Sequence, residues 1–224
     1  TTQPSLQPRI VGGTPVIGYP IDYPWMAYIE DIYNGLSCGG TLIAPRWVMT
    51  AAHCVHENFV QEVVDIDIDV VLGTNSLAVP LYFYERISAE QAIPHPAFDP
   101  NDSLDYDIAL LRLERSSSLP VIAYLADSLH EPVPETLLTA IGWGSVDPVS
   151  INLPAQLQEV ELPLVSLETC RSALPGLMIT DNMLCAGWSE GGRDPCVGDS
   201  GGPLFHGTST AGYQLVGITS FGSS

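Results

Sequence analysis

Three short segments of the 224-residue chain hold the residue types that nucleophilic catalysis needs. They are Thr50-Ala51-Ala52-His53-Cys54, Asp107-Ile108-Ala109-Leu110 and Gly198-Asp199-Ser200-Gly201-Gly202-Pro203. A serine hydroxyl is a weak nucleophile and attacks a carbonyl only with a base beside it. Histidine is the side chain best suited to take and return that proton near neutral pH. Average residue usage would produce the last hexapeptide by chance in roughly one chain in 10⁵ of this length. The chain order His53, Asp107, Ser200 is one of the orders in which a Ser–His–Asp triad occurs. Taken singly, a histidine, a loop aspartate or a Gly-rich stretch is more often structural. The three together, in this order and context, point to a triad.

Further segments extend the pattern: Ile10-Val11-Gly12-Gly13 near the start, Cys38-Gly39-Gly40-Thr41-Leu42-Ile43 before the histidine, and Gly142-Trp143-Gly144 at the start of the second half. From Arg9 to Ser224 the chain resembles the chymotrypsin–trypsin family of serine proteases. That resemblance implies an all-β fold of two antiparallel six-stranded barrels, with the active site in the cleft between them. It also implies the roles. His53 is general base and then general acid, Asp107 orients and stabilises its ring, and Ser200 is the nucleophile. The N–H groups of Gly198 and Ser200 form the oxyanion hole.

Asp194 matches the aspartate at the base of the specificity pocket in trypsin-like relatives, where a buried carboxylate selects Arg or Lys before the scissile bond. Pro195 departs from the serine common at the next position. It offers neither hydroxyl nor N–H to solvate a lysine ammonium, so Arg is the expected preference. Ser220-Phe221-Gly222 resembles the segment that pairs with the substrate backbone, with Phe221 where Trp is usual. The calcium loop of many trypsins falls on positions 73–95, but its acidic positions are Thr74 and Tyr84 here, so no metal is expected. No cofactor is expected either. Asn101-Asp102-Ser103 is a glycosylation sequon.

The resemblance pairs Cys38 with Cys54 and Cys170 with Cys185. The fifth cysteine, Cys196, is left over, and its family partner falls beyond Ser224. The second barrel is therefore expected to be incomplete in this sequence, and the odd cysteine reads as truncation rather than as a reactive thiol. The fourth bridge of trypsins would join positions 138 and 206, which are Leu138 and His206. Thr1–Arg9 resembles an activation peptide. Cleavage after Arg9 would free the Ile10 ammonium to pair with Asp199 and order the oxyanion hole. The uncleaved chain is then a zymogen, expected to be inactive.

These residues need a scaffold, and the sequence supplies one built of strands. Short apolar runs alternate with turn residues, and 19 Pro and 20 Gly disfavour long helices. Strands are predicted at 25–30, 47–51, 63–72, 82–87, 108–113, 137–143, 158–164, 203–206 and 213–219, and one short helix at 166–174. The run Asp65-Ile66-Asp67-Ile68-Asp69 reads as a strand with Ile inward and Asp in water. A linker is expected within 115–134. This gives an activation peptide at 1–9, a first barrel at 10–120 with His53 and Asp107, and a second at 121–224 with Ser200.

Composition narrows the function classes. A hydrophobic fraction of 46% supports a packed core. A net charge of −19, with seven cations that are all Arg, argues against nucleic-acid binding. No apolar run is long enough to span a membrane. The expectation is a secreted, monomeric endopeptidase. Its partners would be protein or peptide substrates, protein protease inhibitors and an activating protease. The competing reading is a non-catalytic, protease-fold binding homologue, which would usually have lost His, Asp or Ser. The acidic surface would also suit a salt- or acid-adapted enzyme.

Overall fold

The structure is a computed structural model that describes residues 12–17, 22–31, 37–55, 67–79, 84–99, 104–125, 131–145, 153–192 and 198–222. A short first strand, β1 (Thr14–Pro15), precedes six strands that close into a barrel: β2 (Met26–Asp31), β3 (Ser37–Ala44), β4 (Trp47–Thr50), β5 (Ile68–Leu72), β6 (Glu85–Pro94) and β7 (Ala109–Leu113). Around the barrel the order is β2-β3-β4-β7-β6-β5, antiparallel wherever neighbours pair. Closure leaves no free edge. The inward faces of these strands place Leu42, Val48, Val70, Leu72, Ile87, Leu111 and Leu113 at 0% exposure.

The second half forms a sheet from β8 (Tyr124–Leu125), β9 (Leu137–Gly142), β10 (Gln158–Val165), β11 (Cys185–Ala186), β12 (Pro203–Thr208) and β13 (Gly212–Ile218). Its path runs β1-β10-β9-β12-β13-β8, with β11 paired to β10. Among the described residues this path stays open, a partial second barrel beside the closed one. β1 docks on β10 and so ties the start of the described chain to the second half. Leu138, Ala140, Val160, Leu162, Leu164 and Leu204 make its own apolar cluster. Leu138, at one of the positions where trypsins bridge, is thus fully packed, and His206 at the other hydrogen-bonds Gln214 at 2.7 Å.

Several boundaries differ from expectation for physical reasons. β3 was not foreseen, because Gly39-Gly40 reads as a turn. Both glycines lie in the strand because other backbone approaches there: a Cβ on Gly39 would stand 2.7 Å from Gly202 Cα. β5 starts at Ile68, so Asp67 precedes it and residues 63–66 lie outside the described residues. Asp69 does not simply face water; it accepts from Arg86 at 2.9 Å and Ser88 at 2.8 Å. β6 begins later than predicted and runs through to Pro94, where proline ends the ladder. The helix, α1 (Leu167–Ala173), is capped by Ser166, whose hydroxyl accepts the Thr169 N–H at 3.2 Å. Between the halves, Ile122 N–H donates to Leu42 O at 3.1 Å, while Tyr124–Leu125 pairs with β13.

Candidate active site

His53 sits on the single-turn helix Ala52–Cys54 that follows β4, between two buried neighbours. Cys54 is disulfide-bonded to Cys38 of β3 across 16 residues of chain, which fixes this turn against the barrel wall. Asp107 precedes β7, which pairs with β4 in the register Thr50↔Ala109. That register brings the two residues together. The His53 ring nitrogen Nδ1 lies 2.7 Å from Asp107 Oδ2, and the His53 backbone N–H donates to Oδ1 at 2.9 Å. The Ser220 hydroxyl also donates to Oδ2.

These contacts fix a tautomer. Burial pushes the Asp107 carboxyl up, but hydrogen bonds from the His53 ring, Ser220 and the His53 N–H outweigh it and hold the group below its ordinary value. Asp107 is therefore ionised near neutral pH and can only accept. Nδ1 must then carry a proton, so in the neutral ring the lone pair is on Nε2. The Asp107 side chain is 3% exposed and that of His53 30%, so the acid is buried and the ring edge reachable. Nε2 lies 3.8 Å from Cys54 Sγ. Cys38, His53 and Cys54 converge closely enough to suggest a metal site, but both sulfurs are spent in the disulfide and offer no thiolate.

Ser200 is carried by a turn of the second sheet that is pressed onto this structure. Gly198 and Gly201 adopt φ of 98° and 76°, a region that favours glycine. Gly202 N–H donates to Asp199 O at 2.9 Å, and Gly201 N–H to Thr219 O at 2.7 Å. Across the halves, the Ser200 carbonyl accepts Gly39 N–H at 2.7 Å. Gly201 packs so tightly on Thr50 and Ala51 that a Cβ there would stand 3.0 Å from Ala51 N and closer still to Thr50 Oγ1. The serine turn thus rests on the last residues before His53. The N–H groups of Gly198 and Ser200 donate to no acceptor among the described residues. Paired donors of that kind suit a developing oxyanion.

Asp199 is 2% exposed, and its Oδ1 accepts Gly144 N–H at 2.8 Å. Gly142 and Gly144 leave it room; a Cβ on either would collide with the carboxylate. Arg9, Ile10, Asp194, Pro195, Cys196 and the Asn101 sequon lie outside the described residues. Phe221, 37% exposed, and Gly222 follow β13. Cys170 and Cys185 form the second disulfide. Thr74 closes its own loop, donating to Ser76 O at 2.7 Å and accepting Ser76 N–H at 2.9 Å. A cavity of about 510 Å³ bordered by Tyr23, Glu159, Phe205 and Tyr213 touches none of His53, Asp107 and Ser200. Ser220, expected beside the substrate backbone, also bonds Asp107, a contact with no local signal in the sequence.

The family model described as Trypsin matches residues 10–224. Kallikrein-2 of Homo sapiens is 35% identical over 98% of this chain and 81% of its own length. Glandular kallikrein of Sus scrofa is 34% identical over 98% of the chain and 87% of its own. Kallikrein-1 of Mus musculus is 35% identical over 99% and 82%. The chain belongs to the trypsin family of serine proteases, so its substrates are of the protein or peptide class. No helix among the described residues is long and apolar enough to cross a membrane.

Proposed function

We propose that the protein is a secreted endopeptidase that cuts after Arg, with Lys less favoured, and is released from an inactive precursor by cleavage after Arg9. The observation that carries this reading is the His53–Asp107 pair at 2.7 Å with the Ser200 turn seated on the strand end before His53. Ser200 Oγ attacks the scissile carbonyl while Nε2 of His53 takes its proton. The carbonyl oxygen, now negative, is held by the N–H groups of Gly198 and Ser200. His53 passes the proton to the departing amine, leaving an acyl-enzyme. Water then repeats the sequence and frees Ser200. Asp107 stays ionised throughout and balances the imidazolium.

Asp194 is the group that selects a cationic side chain, and Pro195 tilts the choice toward Arg. Ile10, once freed by an activating protease, brings its ammonium to Asp199, whose burial is the condition for such a pair to matter. Protein protease inhibitors bind the same cleft as substrates. Secretion is supported by two disulfides and by similarity to a relative named for a gland.

The test uses p-nitroanilide peptides that differ only in the residue before the scissile bond. The Arg substrate is expected to be cleaved with the highest kcat/KM, Lys less well and Phe negligibly. Equal rates on Arg and Lys would remove the Pro195 argument. Efficient cleavage after Phe would remove Asp194 as the selector. No hydrolysis by the protein cleaved after Arg9 would remove the catalytic reading.

A further inference from the structure

Two residues before Asp107 the chain makes an uncommon turn. Leu104 and Tyr106, neither of them glycine, adopt φ of 54° and 56°. Left-handed backbone is unfavourable for residues with a Cβ and persists only where the surroundings impose it. Here the surroundings are specific. Asp105, between the two, receives Thr180 Oγ1 at 2.8 Å and Asn182 Nδ2 at 3.1 and 3.2 Å on its two carboxylate oxygens. It also accepts the Tyr106 N–H at 3.0 Å. The Tyr106 ring lies flat on His95, with centroids 4.6 Å apart and planes 5° apart. Ile108 N–H donates to Tyr106 O at 2.7 Å, so the residues on both sides of Asp107 are pinned.

The donors come from the other half of the molecule. Thr180 and Asn182 lie in the segment between α1 and β11, which the Cys170–Cys185 disulfide closes at both ends. Arg171 braces it further, donating to Ile179 O at 2.8 Å and pairing with Asp181 at 2.7 Å. A braced loop from the second half thus grips a strained turn of the first barrel that ends beside Asp107.

We propose that Asp105 is a positioning residue for the reaction: its carboxylate clasps the Thr180–Asn182 loop, holds the Leu104–Tyr106 turn in its strained form, and so keeps Asp107 in register with His53. Among the described residues Asp105 contacts Tyr106, Thr180 and Asn182 and not the His53 ring. It acts through Asp107. The inference rests on the proteolytic reading, and it also has a readout that needs no substrate.

That readout is the low-field proton NMR signal of the hydrogen between His53 Nδ1 and Asp107, recorded beside kinetics on the full protein cleaved after Arg9. Asp105→Ala is expected to lower kcat about tenfold, the worth of one charge-assisted hydrogen bond, with KM changed less than about twofold. The low-field signal should broaden or move upfield. Asp105→Asn keeps an acceptor but loses the charge, and should recover most of both. Thr180→Val with Asn182→Ala leaves the turn's own sequence intact and should reproduce Asp105→Ala. A low-field signal unchanged in Asp105→Ala would overturn the proposal. So would Asp105→Asn behaving like Asp105→Ala, which would mean through-space charge rather than a clasp. If the wild type hydrolyses no Arg substrate while the signal responds as described, the proteolytic reading fails and the clasp stands.

Discussion

The two halves contribute to the site on different terms. The closed barrel supplies His53 and Asp107 already joined, on a turn fixed by a disulfide and by the pairing of β4 with β7. The open sheet supplies Ser200 on a glycine turn whose shape depends on close backbone contacts and on the buried Asp199. The proposed base is built into a barrel without edges, whereas the proposed nucleophile and oxyanion donors sit on a turn. A molecule arranged in this way can keep its base ready and regulate the other half, which is where the proposed Ile10–Asp199 pair would act.

The largest effect should follow from removing either chemical group. Ser200→Ala and His53→Ala should each cut kcat by about 10⁴–10⁶, and the double variant should lose little more, because the two act as a unit. Steady-state rates on an Arg p-nitroanilide check this. Near-normal turnover in Ser200→Ala would dissolve the division between base and nucleophile altogether.

Gly144→Ala should injure the second half alone. Its Cβ would stand 2.6 Å from Asp199 Oδ1, so the carboxylate and the Ser200 turn behind it must shift. Overpacking of this kind typically costs about 1–3 kcal/mol. A lowered Tm and reduced kcat are expected, with the low-field signal of the His53–Asp107 pair intact. Loss of that signal would show the two halves to be one cooperative site.

Ser220→Ala crosses the boundary in the other direction, since Ser220 follows β13 yet donates to Asp107. Its loss should lower kcat/KM modestly, by about 1.5–3 kcal/mol at most, the worth of a hydrogen bond to a charged group. The pH dependence has a definite sign. Hydrogen bonds hold the folded Asp107 carboxyl below its ordinary value. Its stabilising contribution is therefore full above the unfolded value, near 3.9, and is lost as pH falls through the folded one. In Ser220→Ala the folded value rises toward the unfolded one, so the acid decline of Tm should be smaller and be complete at higher pH. Coincident Tm–pH curves would contradict this. The smallest effect concerns the first barrel: calcium should leave Tm unchanged, with Thr74 bonded within its own loop and Tyr84 in place of a carboxylate. A saturable rise abolished by Thr74→Ala would refute that expectation.

Much of this was legible in residue order. His53 and Asp107 lie in short distinctive segments and the structure joins them, and the pairings Cys38–Cys54 and Cys170–Cys185 follow the same resemblance and are formed. Short apolar runs between turn residues made most strands readable, and the helix expected at 166–174 forms at Leu167–Ala173. What escaped shares one cause, contact between segments far apart in sequence. Gly39-Gly40 reads as a turn until Gly202 is placed against it. Ser220 has no signature for Asp107, 113 residues away, and Asp105 has none for Thr180, 75 residues away. Side chains that join the two halves answer to packing, which local propensity does not encode.

The two halves are proposed to meet in one activated serine, Ser200. The most direct measurement is reaction of the protein cleaved after Arg9 with an organophosphorus fluoride, followed by peptide mass spectrometry. One phosphorus adduct per molecule, located at Ser200 and lost in His53→Ala, is the expected result. An unlabelled protein, or label spread over other serines and unaffected by His53→Ala, would contradict the claim.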